Sequence, residues 1–223
     1  MAMEKNINDI LSRPKDWHKD AVGGMWEEIG KLQFNFLLEK GLKPEHYLLD
    51  VGCGSLRGGI HFIGYLEPDH YFGTDISKEL LDAGKDELEK LGLSCKNPVL
   101  ANDGDFDFRS LHREFDFALA QSVFTHLPLN SIIKCIMNME KALVRGGRFY
   151  ATFFEDPKGK NDLGPALHRR IDGPPIGSYF DKDPYHYDTG TFEWICKGTK
   201  LKAEYVGDWG HPRGQKMMRF VKL

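Results

Sequence analysis

The stretch Leu48-Leu49-Asp50-Val51-Gly52-Cys53-Gly54-Ser55-Leu56-Arg57-Gly58-Gly59 decides how the rest of this chain is read. Its apolar start has the character of a buried strand. Its glycines let the backbone turn sharply and approach a ligand closely before a helix begins at about Gly59. The spacing then separates one ligand class from another. A dinucleotide turn needs G-x-G-x-x-G, which brings a pyrophosphate onto a helix N-terminus. Gly52, Gly54 and Gly58 are spaced one residue too long for that, and Asp50 stands two positions before the first glycine, giving D-x-G-x-G.

Working outward, Met25, Ile29, Leu32 and Phe36 recur at helical spacing ahead of Gly41, which predicts an amphipathic helix before the first strand. Residues 1–14 are polar and aperiodic and read as a loose arm. The aromatic-rich Trp17-His18 and Gly23-Gly24-Met25-Trp26 either fold over a ligand or pack in the core. Strands are expected at 47–51, 71–74, 98–102, 115–120 and 148–154. Helices are expected at 59–66, after a Ser77 cap to about Gly92, and at 129–144 with Asn130 as cap and Gly146-Gly147 as terminator. Strands alternating with helices predict a doubly wound, mostly parallel α/β sheet. Residues 155–188 hold Pro157, Pro165, Pro174, Pro175 and Pro184 with no period, so they read as a structureless lid or binding loop. A helix at 191–197 and two antiparallel strands at 201–206 and 215–221 complete the chain.

The D-x-G-x-G turn, followed by Asp75 at the end of the second strand and by the strand order, resembles the class I S-adenosylmethionine-dependent methyltransferases over residues 47–152. The resemblance implies a Rossmann-like seven-stranded sheet with a C-terminal antiparallel hairpin and N-terminal helices. It also implies S-adenosylmethionine as cofactor and S-adenosylhomocysteine as product. That cofactor carries an ammonium and a sulfonium but no phosphate, so a carboxylate near the turn makes electrostatic sense. Asp50, Gly52, Cys53 and Gly54 would wrap its methionine end. Asp75 would accept from both ribose hydroxyls, as an acceptor-only carboxylate can, with Ile76 beside it. Asn102, Asp103 and Asp105 compete to meet the adenine amino group. Asp103 fits best by distance from the fourth strand, with Gly104 letting the backbone pass close to the ring.

The segment Ala120-Gln121-Ser122-Val123-Phe124-Thr125-His126 falls at the carboxyl end of the fourth strand, where such sheets bind ligands. It lacks the N-P-P-Y or D-P-P-Y of enzymes that methylate nucleobase amines and looks like members acting on small molecules. Gln121 is therefore assigned to the cofactor and His126 to catalysis, either as a base for a hydroxyl acceptor or as its orienter. His186, Tyr187, His211 and Arg213 are candidates for acceptor recognition, from segments that also hold His168, Arg169, Arg170 and Tyr185.

Composition narrows the remaining classes. At 223 residues the chain suits one domain, expected to divide into an arm and helix (1–46), a cofactor core (47–154), a lid (155–190) and a closing helix and hairpin (191–223). A formal net charge of -3 leaves no electrostatic footprint for nucleic acid or an anionic membrane. Cys53, Cys95, Cys135 and Cys196 form no C-x-x-C pair, and no run of eighteen apolar residues or signal-like start occurs. The expectation is a cytoplasmic methyltransferase with a small-molecule acceptor and no metal. The rival readings are a nicotinamide dehydrogenase, which needs the shorter glycine spacing, a nucleic-acid or protein methyltransferase, and a non-catalytic binder of the cofactor; acceptor and oligomeric state are left open.

Overall fold

The computed structural model describes residues 14, 16–156 and 163–223. The expected arm, apart from Pro14, and the 157–162 part of the expected lid lie outside them. The chain runs α1 (Trp17–Ala21), α2 (Trp26–Glu39), β1 (Leu48–Val51), α3 (Gly59–Tyr65), β2 (Tyr71–Asp75), α4 (Lys78–Lys90), β3 (Val99–Asn102), β4 (Phe115–Ala120), α5 (Leu129–Ala142) and β5 (Leu143–Glu155). It continues through β6 (Ala166–His168), β7 (Ile176–Ser178), β8 (His186–Tyr187), α6 (Thr189–Cys196), β9 (Leu201–Asp208) and β10 (Lys216–Lys222).

Seven strands lie in the order β3-β2-β1-β4-β5-β10-β9, and β8 pairs with the end of β5 as a two-residue eighth. The first five are mutually parallel, whereas β10 runs antiparallel to both β5 and β9. The sheet is doubly wound, with the expected C-terminal hairpin. Because helices cover both faces, the central strands are apolar throughout: every residue of β1 is buried, and so is all of β4 except Asp116. One face packs Phe115, Phe149 and Phe220 against Ile136 and Met139 of α5 and Phe192 of α6. The other packs Leu48, Phe117 and Tyr150 against Phe36, Leu37, Phe62 and Leu81 of α2, α3 and α4. Among the described residues no helix is long and apolar enough to cross a membrane.

Local chemistry explains where the elements begin and end. Ser77 caps α4, its hydroxyl accepting from Leu80 N–H. Asn130 does not cap α5: that helix starts one residue earlier, behind Pro128, whose ring pre-sets the entry to the first turn. Gly146-Gly147 do not end a helix either. The helix stops at Ala142, and the two glycines lie in a bulge of β5, where a Cβ on Gly147 would sit 2.8 Å from Val144 O. Residues 163–188 are not structureless, since β6 and β7 pair as a hairpin and β8 joins the sheet. Strands of two or three residues are too short to display a period, which hid them in the sequence. The two N-terminal tryptophans pack around His18, with ring centroids 6.2 Å and 5.4 Å away, so they serve as packing.

Candidate active site

A cleft of about 570 Å³ opens at the carboxyl ends of β1, β2 and β4, the position at which parallel α/β sheets bind ligands. Its floor is the glycine turn. Gly52 and Gly54 have φ of +67° and +55°, a region that side chains disfavour. A Cβ on Gly52 would lie 2.4 Å from Val123, and one on Gly54 2.7 Å from Val22. Both glycines are therefore required twice, by their own backbone and by the walls that close on them. The turn is anchored to β2: Gly52 N and Cys53 N donate to Thr74 O at 2.8 and 3.0 Å, and Gly54 N donates to Asp75 Oδ2 at 2.8 Å. Asp75 Oδ1 accepts from Ser77 N at 2.8 Å. Each carboxylate oxygen has a second lone pair, so Asp75 holds the turn and can still accept from a ligand.

Asp50 faces the same cleft from β1 but is only 3% exposed. Burial pushes its carboxyl up to about 7 against the hydrogen bond from Tyr71 Oη at 2.7 Å, and the nearby Asp75 charge adds to the rise. Cys53 lines the cleft as well, yet burial holds its thiol far above the usual range, so it is a packing residue there and no nucleophile.

The opposite wall is a polar network at the end of β4. Ser122 has φ +59°, an uncommon conformation without a glycine, and its N–H donates to Thr152 Oγ1 at 2.7 Å. Gln215 Oε1 accepts from Ser122 Oγ at 3.0 Å and Thr152 Oγ1 at 2.7 Å. Gln121 Oε1 accepts from Arg57 Nη2 at 2.6 Å, and the Gln121 amide nitrogen stands 3.2 Å from His211 Nε2. At the rim, His126 Nδ1 lies 2.7 Å from Asp183 Oδ1, with both side chains more than half exposed. Tyr185 N donates to Thr125 O at 2.7 Å, fixing the Asp183 segment beside the His126 loop.

Of the residues named from sequence, the fold brings Asp50, Gly52, Cys53, Gly54, Asp75, Ile76, Gln121, His126 and Arg213 to the cleft. Asp103 and Gly104 stand next to it without lining it: Asp103 N donates to Asp75 O at 3.0 Å, and a Cβ on Gly104 would touch Ile76 at 3.0 Å. Asn102 spends its amide on Asp75 O and Ile76 O, and Asp105 pairs with Lys134, whereas the Asp103 side chain accepts from Asp105 N within its own loop at 2.7 Å. His186 and Tyr187 do not reach the cleft. They are buried in β8, where His186 Nδ1 lies 3.0 Å from Ser178 Oγ and Tyr187 Oη donates to Leu127 O. His211 sits behind Gln121, stacked on Trp209, and burial beside Arg57 and Arg213 pushes its pKa down to about 3. It is a neutral second layer of the wall.

Sequence reasoning passed over Arg57 and Asp183, and it reached Gln215 only as the end of the candidate segment 211–215. Arg57 carried a usable signal, being a cation within the glycine stretch itself; Asp183 carried none, because its approach to His126 spans 57 residues. Among the described residues one histidine-carboxylate group, Asp16, His18 and Glu87, has ligand atoms within 4.8 Å of one another. It lies off the cleft, and Lys19 and Lys90 already pair with its two carboxylates.

Residues 49–149 match the methyltransferase domain family. An uncharacterized protein of Methanocaldococcus jannaschii is 31% identical over 107 residues, which is 47% of this chain, and the chain spans about a quarter (27%) of that curated relative. The crystal structure of an S-adenosylmethionine-dependent methyltransferase from Clostridium acetobutylicum superposes with a TM-score of 0.65 at 15% identity, covering 99% of each chain. That of magnesium protoporphyrin IX methyltransferase from Synechocystis PCC 6803, with bound S-adenosylmethionine, gives 0.61 at 13% identity over 95% of this chain and 86% of the other. The residues that match the methyltransferase domain run from β1 through β2 and β4, whose ends open the cleft, into β5, and the solved structures share the fold of the whole sheet.

Proposed function

We propose that the cleft binds S-adenosylmethionine and that the protein transfers its methyl group to an oxygen or nitrogen of a small molecule. The observation that carries this reading is the glycine turn tied to Asp75, with Asp50 beneath it, at the carboxyl ends of three adjacent parallel strands. The donor set fits the cofactor: two acidic residues near the turn suit an ammonium and a ribose diol, and a cleft of about 570 Å³ is in the range that holds a cofactor-sized ligand. When bound, the cofactor supplies an already activated methyl carbon.

The chain's part is then to bind, orient and exclude water, from which most of the rate can come. Asp50 meets the ammonium and Asp75 the ribose hydroxyls. Ile76, 78% exposed beside Gly104, offers an apolar face to the adenine, and Asp103 an acceptor at its edge. Gln121, held by Arg57, forms the wall near the methionine end. His126 donating from Nδ1 to Asp183 keeps a lone pair on Nε2, the tautomer that takes a proton from a hydroxyl acceptor. Arg213, which lines the cleft, faces the acceptor, and its backbone N–H donates to His211 Nδ1 at 3.2 Å.

Residues 1–223 act as one domain in this reading, and the 163–190 segment closes over the acceptor. A small-molecule acceptor is favoured by the net charge of -3, and a cytoplasmic location by the four cysteines, all free. The test is a tritiated-methyl screen of metabolite, RNA and protein pools, with His126→Ala beside the wild type. Label in the small-molecule pool, with turnover lowered about tenfold or more while S-adenosylhomocysteine affinity stays within about threefold, supports the proposal and the role of His126. Label confined to RNA or protein, or no label despite cofactor binding, selects one of the rival readings.

A further inference from the structure

The cleft wall formed by Arg57 and Arg213 holds more positive charge than its surroundings balance. Arg57 is 6% exposed, and among the described residues its guanidinium donates only to neutral acceptors: Val22 O at 2.7 Å, Gly24 O at 2.9 Å and Gln121 Oε1 at 2.6 Å. Arg213 donates to Gly23 O, and its nearest carboxylate oxygen is Asp172 Oδ2 at 3.7 Å. That carboxylate is itself gripped by both Nε and Nη2 of Arg170, at 2.7 and 3.0 Å. Two guanidinium groups, those of Arg170 and Arg213, thus share one acidic partner, and Arg57 forms no ion pair with a carboxylate among the described residues. The two cleft arginines converge on one point: a Cβ on Gly23 would lie 2.8 Å from Arg213 Nη1 and 3.9 Å from Arg57 Nη1. The Nε of each is buried with no hydrogen-bond partner among the described residues.

A buried cation without an anion is costly, and guanidinium groups are the side chains best matched to a planar carboxylate. The acidic residues of the cleft do not balance them. Asp75 is held at the glycine turn by Gly54 N and Ser77 N, and Asp50, bonded by Tyr71, attracts Arg57 only through space, without an ion-pair contact among the described residues. The cleft is therefore polarised, with carboxylates along β1 and β2 and guanidinium groups toward the 22–24 segment and the loop before β10.

We propose that Arg57 and Arg213 form an anion subsite that takes a carboxylate group, supplied either by the methionyl end of the cofactor or by an acidic methyl acceptor. This rests on the reading of the cleft as the cofactor site. If the first source holds, the zwitterion is clasped at both ends, ammonium by Asp50 and carboxylate by the arginines. If the second holds, the acceptor belongs to the organic acids, and the arginines orient it toward the methyl group.

Calorimetry on the full-length protein separates these cases. The ligands are S-adenosylhomocysteine, its decarboxylated analogue, which keeps the ammonium, and malonate as a simple carboxylate probe. The proteins are wild type, Arg57→Lys and Arg213→Lys, each checked for an unchanged circular dichroism spectrum; lysine keeps the charge and removes the two-pronged bond. The cofactor source predicts that wild type prefers S-adenosylhomocysteine over the analogue by about tenfold or more and that both variants lose the preference. The acceptor source predicts an undiminished preference in the variants, together with malonate binding to the S-adenosylhomocysteine-saturated wild type that the variants lack. Equal weakening of both nucleosides with no malonate binding marks the arginines as braces for the 22–24 segment and overturns the proposal. So does the absence of any change. If the wild type binds neither nucleoside, the cofactor reading itself fails, and malonate binding to the free protein, lost in the variants or never seen, decides the subsite separately.

Discussion

Asp50→Asn should flatten a pH dependence that the wild-type fold carries in one buried carboxyl. In the folded protein this carboxyl is raised from 3.8 to about 7, chiefly by burial. Between those values the unfolded chain has released the proton while the folded chain keeps it, so the folded state binds more protons and stability falls as pH rises. Asp50 thus contributes fully below pH 3.8, and its contribution is lost as pH passes through about 7. At about 1.4 kcal/mol per unit, the loss amounts to at most about 4 kcal/mol across that window. His168 and His211 act in the opposite sense. Their pKa values are pushed down to about 4 and about 3 by burial, so the stability they carry is lost as pH falls from about 6.5 toward those values. The quantity to measure is therefore the difference between Asp50→Asn and wild type in urea denaturation at pH 5, 6, 7 and 8. It should grow in favour of the variant up to about pH 7 and then level off. Cofactor binding should show the mirror image, because an ammonium beside Asp50 favours the carboxylate. S-adenosylhomocysteine affinity should rise up to about tenfold per unit below pH 7 in the wild type and stay flat in the variant. Parallel stability profiles, within about 0.5 kcal/mol, together with equal pH dependences of binding, would refute the reasoning.

Gly52→Ala meets both a φ of +67° and Val123 at 2.4 Å, so it should destabilise the fold by about 1–2 kcal/mol of backbone strain plus about 1–3 kcal/mol of overpacking. Chemical denaturation measures this, and adding Val123→Ala should recover the packing part alone. Asp75→Ala removes the acceptor for Gly54 N and Ser77 N as well as the proposed ribose contact, and S-adenosylhomocysteine binding should weaken by about 1.5–3 kcal/mol or more. An unchanged dissociation constant in titration calorimetry would remove Asp75 from the site. Asp183→Asn should lower turnover in step with His126→Ala while sparing cofactor affinity, and the double variant should be no worse than His126→Ala if the two act as a unit.

The sheet was legible in the sequence because its signals are local. Apolar runs such as Phe115 to Ala120, the Ser77 cap and the glycines at 52 and 54 each state a backbone preference within a few residues. The floor of the cleft was legible for the same reason: Asp50, the glycine turn and Asp75 lie within one β1–helix–β2 stretch, and β1 and β2 pair in parallel. What tertiary structure alone decided is everything that depends on non-local approach. Three-residue strands such as Ala166–His168 form only because a partner strand satisfies their backbone groups. His186 and Tyr187 look like exposed loop polar groups in sequence, yet pairing of β8 with Phe154 and Glu155 buries them. Asp183 comes to His126, and Arg213 to Arg57, across 57 and more than 150 residues. Such encounters are set by how the loops beyond the sheet fold back on it, and no periodicity or spacing records them. The chain therefore declares the glycine floor of its cleft in sequence and the opposite wall only in three dimensions, because the former is built from consecutive residues and the latter from segments that meet only after folding.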